Sequence, residues 1–521
     1  MEQLLIPPIA QLIPNTQTIH GDVRTDNYAW LQDKSNPQTI EYINQENLYT
    51  EHILQPTTEL QQLLYTEMVD RIQETDSSVP YQRGDYYYYT RTEEGKQYGI
   101  FCRKFKNLEN EEEIILDENE LAVGFTQFVL GYRTVSPDNN YLAYTINTSG
   151  DEFYTLYIKN LITQELTTDI ISGISASLAW ANDNQTIFYC KQNESKRPDK
   201  LYRHVINTQE HLDTLVYNET DNTLFLGINR SSSGQFLMMT AGNFDSSKTW
   251  FIDADSPTDT PNLLFPLEKG VHYHCEHIGD FFYVLTNKFG SNFALGRVPL
   301  NAPTLDNYQS ILHHNEKIKL ENMVALSNHI VIEERTDGLQ RFRCFDLRNM
   351  EQYVIQCTED DYTLGLDRQF FDGCNLRYSI TSFATPNQIY DYNLESRKQT
   401  LLKQSIVHGN FDSALYNCSR VYATAQDGVK IPISIIHKKE IDLNGENPLY
   451  LYGYGAYGIT QTPTFSSVRL SLLDRGFIFA LAHIRGSGYL GKEWHNQAKV
   501  LTKKVVFDDF IACADYFVQE K

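Results

Sequence analysis

Seven short runs of aromatic and β-branched residues recur through the middle of this chain at nearly constant spacing. Taking the start of one strand in each run gives Tyr86 in GDYYYYT, Tyr141 in SPDNNYLAYT, Thr186 in NDNQTIFYC, Phe236 in SSGQFLMMT, Phe281 in IGDFFYVLT, Ile330 in LSNHIVIEE and Tyr378 in CNLRYSITS. The successive gaps are 55, 45, 50, 45, 49 and 48 residues, and polar turns separate the runs. A repeat of roughly 45 to 50 residues made only of strands and turns is the period of a β-propeller blade, a small sheet that must be covered by its neighbours on both faces. Seven marks predict seven blades over residues 76–406. A two-layer sandwich with coincidental spacing is the competing arrangement, but a sandwich rarely occupies roughly 330 residues without a helix.

The flanks have a different texture. Thr39 to Leu54 and Thr58 to Ile72 carry apolar residues at helical intervals, with Pro56 between them, so residues 1–75 read as an N-terminal helical segment. From Val407 the pattern changes again. CSRVYATAQDGVKIPISIIHKK reads as a hairpin turning at Asp427-Gly428, and NPLYLYGYG as an apolar strand entering a glycine loop. Phe465 to Asp474 reads as a helix, GFIFALAHI as a buried strand, and Val505 to Val518 as a helix with Val506, Phe510, Ala514 and Phe517 on one face. Strand, helix, strand, helix with buried strands predicts the start of a parallel α/β sheet over residues 407–521.

At 521 residues the chain is too long for one core. Its composition, 41% hydrophobic and 21% charged, is that of a soluble globular protein. The net charge of -23 argues against nucleic acid or anionic membrane as partner, since a polyphosphate needs a basic face. No basic n-region precedes the proline-broken N-terminus, and the longest clean apolar run, Gly476 to Ile484, is far short of a spanning helix. Eight scattered cysteines without a C-x-x-C pair read as reduced thiols of a cytoplasmic protein.

Few motifs carry chemistry. A G-x-S-x-G elbow, which would lift a nucleophilic serine from a strand-to-helix turn, is absent. Ser487 in IRGSGYLG follows a strand without the required spacing and reads as a hydroxyl in a flexible glycine turn. His272, His274 and His277 form an H-x-H-x-x-H cluster that reads as surface histidines rather than a metal site, and no phosphate or dinucleotide loop points to a cofactor. Asp508 and Asp509 read as carboxylates at the positive end of the last helix. The stretch LYGYGAYG, Leu451 to Gly458, remains. Its glycines let the chain turn sharply after a strand, and Tyr454 at the carboxyl end of a parallel strand can present its hydroxyl to the crevice where such sheets bind ligands. A phenol there is a neutral donor to a developing oxyanion; a tyrosine packed in a tight turn is the competing reading.

NPLYLYGYGAYG, SSVRLSLLDRGFIFALAHIRGSGYLGKEWH and FDDFIACADYF together resemble the prolyl oligopeptidase family of serine peptidases. RTDNYAWLQD, RIQETDSSVPY, RTEEGKQY and TVSPDNNYLAYT point to its oligopeptidase B branch. The resemblance implies a seven-bladed propeller capping an α/β-hydrolase domain, with residues 1–75 packed on the hydrolase. It implies cleavage of short peptides after lysine or arginine through Ser-His-Asp acyl-enzyme chemistry, with Tyr454 as the oxyanion tyrosine and Tyr457 lining the substrate pocket.

The departures qualify that implication. In the family the serine, aspartate and histidine follow the region matched by Val505 to Lys521, so the resemblance implies an incomplete hydrolase domain without a triad. Acidic positions that some oligopeptidase B enzymes carry after the tyrosine-glycine loop are Thr462 and Thr464 here, and Ser487 and Tyr489 stand where the family commonly has glycine and glutamate. The expectation is a chain inactive by itself, whose partners are short peptides and a complementary C-terminal fragment of roughly 150 to 200 residues carrying the triad. A catalytically dead propeller that binds peptides or proteins is the alternative.

Overall fold

A computed structural model of the protein describes residues 6–355, 357 and 359–520. The chain divides into two compact units, Met1–Ile72 and Gln73–Lys521.

The first unit contains the helices Pro37–Leu54 and Thr58–Asp70, the former opened by Pro37 and by the Asn36 side chain accepting a bond from the Gln38 N–H. It is not wholly helical as expected. Asn15–Ile19 and Asp22–Asp26 form an antiparallel hairpin in which Ile19 faces Asp22. His20 and Gly21 both have positive φ, 54° and 83°, as a type I′ turn requires. Histidine is an unusual first turn residue and every strand residue is exposed, so neither turn chemistry nor alternation marks the hairpin in the sequence.

The second unit begins with seven blades. Four of them, over residues 225–265, 273–312, 318–355 and 363–404, are separate four-stranded antiparallel sheets, and the blade over residues 76–117 has a fifth short strand. The remaining two share one seven-stranded sheet through the 15-residue strand Leu166–Trp180. That strand pairs with Tyr154–Asn160 up to Ile174 and with Thr186–Gln192 beyond it, bending near Gly173, whose φ is 73°. Each of the seven sequence marks falls on the second strand of its blade. In the second to sixth blades these strands are covered by neighbouring blades on both faces, so they read as continuous apolar runs, whereas Asn375–Thr381 of the last blade alternates. Thr186–Cys190 and Phe236–Met239 are buried without interruption.

Apolar clusters join successive blades. Phe188 and Leu201 meet Leu226 and Trp250, Phe236 meets Phe282, and Leu285 meets Ile330. Among the described residues no such cluster spans the seam between the last blade and the first. Polar contacts cross it instead: Arg377 donates to the Pro80 carbonyl at 2.9 Å, and Lys403 pairs with Asp76 at 2.5 Å.

After the propeller come four strands in the spatial order Tyr416–Thr424, Lys430–Lys438, Ile478–Ala482, Leu449–Gly453. The expected parallel sheet is mixed: only the last two strands are parallel, because the Asp427-Gly428 hairpin belongs to the same sheet. The helix expected over Phe465–Asp474 shrinks to Leu470–Leu473. Backbone groups before it are taken by the last blade, the Pro463 carbonyl accepting from Thr363 Oγ1 at 3.1 Å and the Phe465 N–H donating to Thr381 Oγ1 at 3.1 Å. The C-terminal helix, Lys504–Glu520, lays Val506 and Cys513 against the sheet.

One buried charge bears on propeller stability. His204, fully buried, is held between Asp213 at Nδ1 (2.6 Å) and Asp169 at Nε2 (2.9 Å). Burial alone would lower its pKa, but the two carboxylates outweigh it and raise the imidazolium to about 9. Because the folded value lies above the unfolded one, this stabilisation is full below the unfolded pKa of about 6.5 and is lost as pH rises through about 9. We expect the thermal midpoint to fall by a few degrees between pH 6.5 and 9.5, and the His204→Gln variant to lose most of that slope; an unchanged slope in scanning calorimetry would refute it.

Candidate active site

Leu449–Gly453 lies parallel to Ile478–Ala482 in the register Leu451↔Ala480 and Gly453↔Ala482, so Tyr454 leaves the sheet at the carboxyl end of a parallel pair. Two glycine loops then cross. A Cβ on Gly455 would stand 2.5 Å from the Arg485 carbonyl, and one on Gly486, at φ 88°, would stand 2.2 Å from the Gly455 carbonyl. Only glycine fits either position, since the two backbones touch where side chains would be. The Gly458 N–H donates to the Gly486 carbonyl at 3.0 Å, the Lys503 ammonium donates to the Gly455 carbonyl, and His495 Nδ1 donates to the Gly486 carbonyl at 2.8 Å.

Backbone contacts on both sides therefore hold the segment that carries Tyr454. Its side chain is half-buried, and its hydroxyl has no hydrogen-bond partner among the described residues. Tyr457 sits at φ 56°, 67% exposed, with its ring edge-on to Phe244 of the fourth blade at 5.8 Å. Phe244 also meets the buried His495, at 5.8 Å. The two tyrosines thus lie on one short loop with different surroundings, one free at the hydroxyl and one facing the propeller.

Beneath the crossing lies an ion pair that sequence reasoning missed. The Arg485 backbone N–H and Nε donate to Asp509 Oδ2 at 3.0 and 2.9 Å, and a terminal nitrogen donates to Oδ1 at 2.6 Å. The other terminal nitrogen reaches Asp427, at the hairpin turn, at 2.6 Å. Asp509 is wholly buried in the second turn of the C-terminal helix, which corrects its reading as a dipole carboxylate at the helix start. Asp508 pairs one turn back with exposed Lys504 at 2.8 Å. The signal was present: Asp509 falls between Val506 and Cys513 on the apolar stripe, where a carboxylate needs a buried cation.

The loop after the Ile478–Ala482 strand is also not the flexible turn expected. Ser487 is buried and donates to the Ile484 carbonyl at 2.8 Å. Tyr489 is buried, stacked on His483 with centroids 3.6 Å apart, and so close to Gly338 of the sixth blade that a Cβ there would lie 2.3 Å from its ring. Arg420, from the sheet, pairs with Asp361 of the propeller at 2.6 Å. Thr462 and Thr464 bring no carboxylate to the site; the Thr464 carbonyl accepts from Arg469 at 3.0 Å.

The three propeller histidines separate. His272 Nε2 meets the Phe244 carbonyl at 3.1 Å, His274 is exposed, and His277 is buried against Phe236 with Nδ1 on Ser233 at 3.0 Å. His277 therefore corrects the reading of all three as surface residues. Among the described residues no group of three His, Cys, Asp or Glu side chains could hold a metal ion.

The two aspartates are expected to respond differently to neutralisation. Asp509→Asn strands the Arg485 guanidinium in the interior and should cost about 3–5 kcal/mol in denaturant unfolding. Asp508→Asn removes an exposed pair and should cost about 0.5 kcal/mol or less. Equal losses would refute the assignment of the buried partner.

Comparison with known proteins agrees with this architecture. Residues 7–405 match the family described as "Prolyl oligopeptidase, N-terminal beta-propeller domain", and residues 463–521 match "Prolyl oligopeptidase family". Protease 2 of Moraxella lacunata is 34% identical over 98% of this chain and 75% of its own length. Dipeptidyl aminopeptidase BI of Pseudoxanthomonas mexicana is 34% identical over 99% of this chain and 74% of its own. The solved structure of oligopeptidase B from Leishmania major superposes with a TM-score of 0.94 at 30% identity, covering 99% of this chain and 77% of that one. The oligopeptidase B of Trypanosoma brucei with covalently bound antipain, in a closed form, gives 0.92 at 31%, with the same coverage. With its seven blades and the first strands of a hydrolase sheet, the chain belongs to the prolyl oligopeptidase family of serine peptidases.

Proposed function

We propose that this chain supplies the propeller, the oxyanion tyrosine and part of the substrate pocket of an oligopeptidase that cleaves short peptides after lysine or arginine. The observation that carries the proposal is Tyr454: a half-buried phenol, free at its hydroxyl among the described residues, on backbone fixed by the Gly455–Gly486 crossing. When a serine attacks a peptide carbonyl, negative charge collects on the oxygen, and a donor already in place stabilises that charge without reorganising. The Tyr454 hydroxyl takes this part, together with the N–H that follows the serine. Tyr457, exposed beside Phe244, lines the pocket for the peptide. The net charge of -23 favours cationic peptides through long-range attraction.

The 521 residues contain no G-x-S-x-G, so the serine, aspartate and histidine belong to a further segment, on the same or another polypeptide. A cytoplasmic setting goes with this reading, because the cysteines form no disulfide among the described residues. No helix among the described residues is long and apolar enough to cross a membrane.

Two assays test the proposal. The 521-residue polypeptide alone should not hydrolyse an arginine-terminated chromogenic peptide above background, and turnover at even a modest enzymatic rate would overturn the absence of a nucleophile. Once joined to a segment carrying the triad it should become active. There Tyr454→Phe should lower kcat by about 10²–10³ with little change in KM, whereas Tyr457→Ala should act mainly on KM. An active Tyr454→Phe enzyme with unchanged kcat would remove the tyrosine from the oxyanion role.

A further inference from the structure

Several propeller arginines are matched to acids, while Arg203 and Arg230 are satisfied by carbonyls or a side-chain amide. Arg103 pairs with Glu113, Arg335 with Glu321, Arg341 and Arg343 with Glu334, and Arg377 with Asp391. A less fully satisfied cluster lies where the seventh, first and second blades meet, around a cavity of about 250 Å³. Arg83, Arg133 and Arg368, one from each of those blades, line it together. None of the three forms an ion pair among the described residues, in a chain that carries 67 acidic side chains against 44 basic ones.

Their contacts satisfy little of their capacity. Arg83 donates to the Ser136 carbonyl at 3.3 Å. Arg368 donates to the Tyr81 hydroxyl at 3.1 Å and lies 4.7 Å over the same ring. The Arg133 guanidinium lies over Phe101. A guanidinium has five N–H donors, so most of these point to no protein acceptor. Two carboxylates are close. Asp367 lines the cavity and accepts the Arg368 backbone N–H at 2.6 Å, and Glu118 acts on Arg133 from a distance without pairing. Burial, then the charge of Arg368, pushes Arg133 down to about 10, and burial lowers Arg83 in the same way, with Arg368 again unfavourable. Three like charges are thus held together, offset only in part by the distant Glu118 and by the faces of Phe101 and Tyr81.

We infer that this cavity, at the junction of the seventh, first and second blades, binds an oxyanion, a phosphate or carboxylate group, through the convergent guanidinium forks of Arg83, Arg133 and Arg368. Guanidinium groups hold such anions by paired, charge-assisted hydrogen bonds. The wall formed by Tyr81 and Tyr88, stacked 5.7 Å apart, leaves room for a small organic group attached to the anion. Bound there, the anion cancels the repulsion among the arginines and bridges the polar seam between the first and last blades. It is therefore expected to stiffen ring closure.

The shared chemistry has two sources, free phosphate or the C-terminal carboxylate of a peptide. The full 521-residue chain is titrated at constant ionic strength with inorganic phosphate, with a tripeptide bearing a free C-terminus, and with the same tripeptide amidated; the thermal midpoint and isothermal calorimetry are read. A saturable upward shift with phosphate, or with the free but not the amidated peptide, supports the site and identifies its source. Arg368→Gln, at an exposed position that should fold normally, and Arg133→Gln should each weaken that binding at least tenfold. Absence of saturable binding by either anion, or binding unchanged in both variants, overturns the inference.

Discussion

The approach of the Gly455 and Gly486 backbones is the constraint on which the rest of the hydrolase portion depends. Two carbonyl-bearing loops lie within van der Waals reach, closer than any side chain would allow. Such an approach is held partly by the Gly458–Gly486 backbone bond and partly from outside. Arg485 supplies the outer hold. One guanidinium joins the loop after the second parallel strand, the interior of the C-terminal helix and the turn of the first hairpin, so three segments distant in sequence share one cation. The desolvation of that cation and of Asp509 is expensive, and it is recovered only while all the hydrogen bonds stay in place. The position of Tyr454 is set by this geometry and hardly by its own contacts.

The propeller was the most legible part of the fold because its repeat is physically redundant. A blade's second strand is packed between neighbours, so an aromatic and β-branched run recurs seven times from Tyr86 to Tyr378, largely apolar in the inner blades and interrupted by polar residues in the last. In the hydrolase part Lys430–Lys438 and Ile478–Ala482 were legible for the same reason, whereas Leu449–Gly453 exposes Tyr450 and Tyr452, and the strand order was not legible because direction depends on pairing partners. The short helix before Asp474 shows a related limit, since local helical spacing was overridden by bonds pairing Pro463 with Thr363 and Phe465 with Thr381, the threonines lying 100 and 84 residues earlier in the chain.

Charge was read least well. Asp508 and Asp509 are neighbours in sequence and identical in chemistry, but one faces water beside Lys504 and the other faces Arg485 in the interior. The helical stripe separates them, and stripe position was the clue that mattered. Ser487 and Tyr489 were hidden in a different way. Glycine-rich segments usually signal freedom, but Gly486, Gly488 and Gly491 here permit close packing against the tyrosine loop and the propeller, and Tyr489 is among the largest fully buried side chains. In the tyrosine-glycine loop, by contrast, the residue types and the strand before them already stated where a phenol would stand.

The strand Leu166–Trp180 carries a mechanical consequence. Most blades meet their neighbours through side chains and isolated backbone bonds, such as that from the Leu320 N–H to the Asn292 carbonyl, but the second and third are spliced by uninterrupted main chain that belongs to both sheets. Prising these two apart would tear backbone hydrogen bonds along with apolar contacts, so the pair behaves as a double-width plate. A ring of seven petals therefore flexes as six pieces, with its stiffest arc at this splint and its loosest at the ionic clasp.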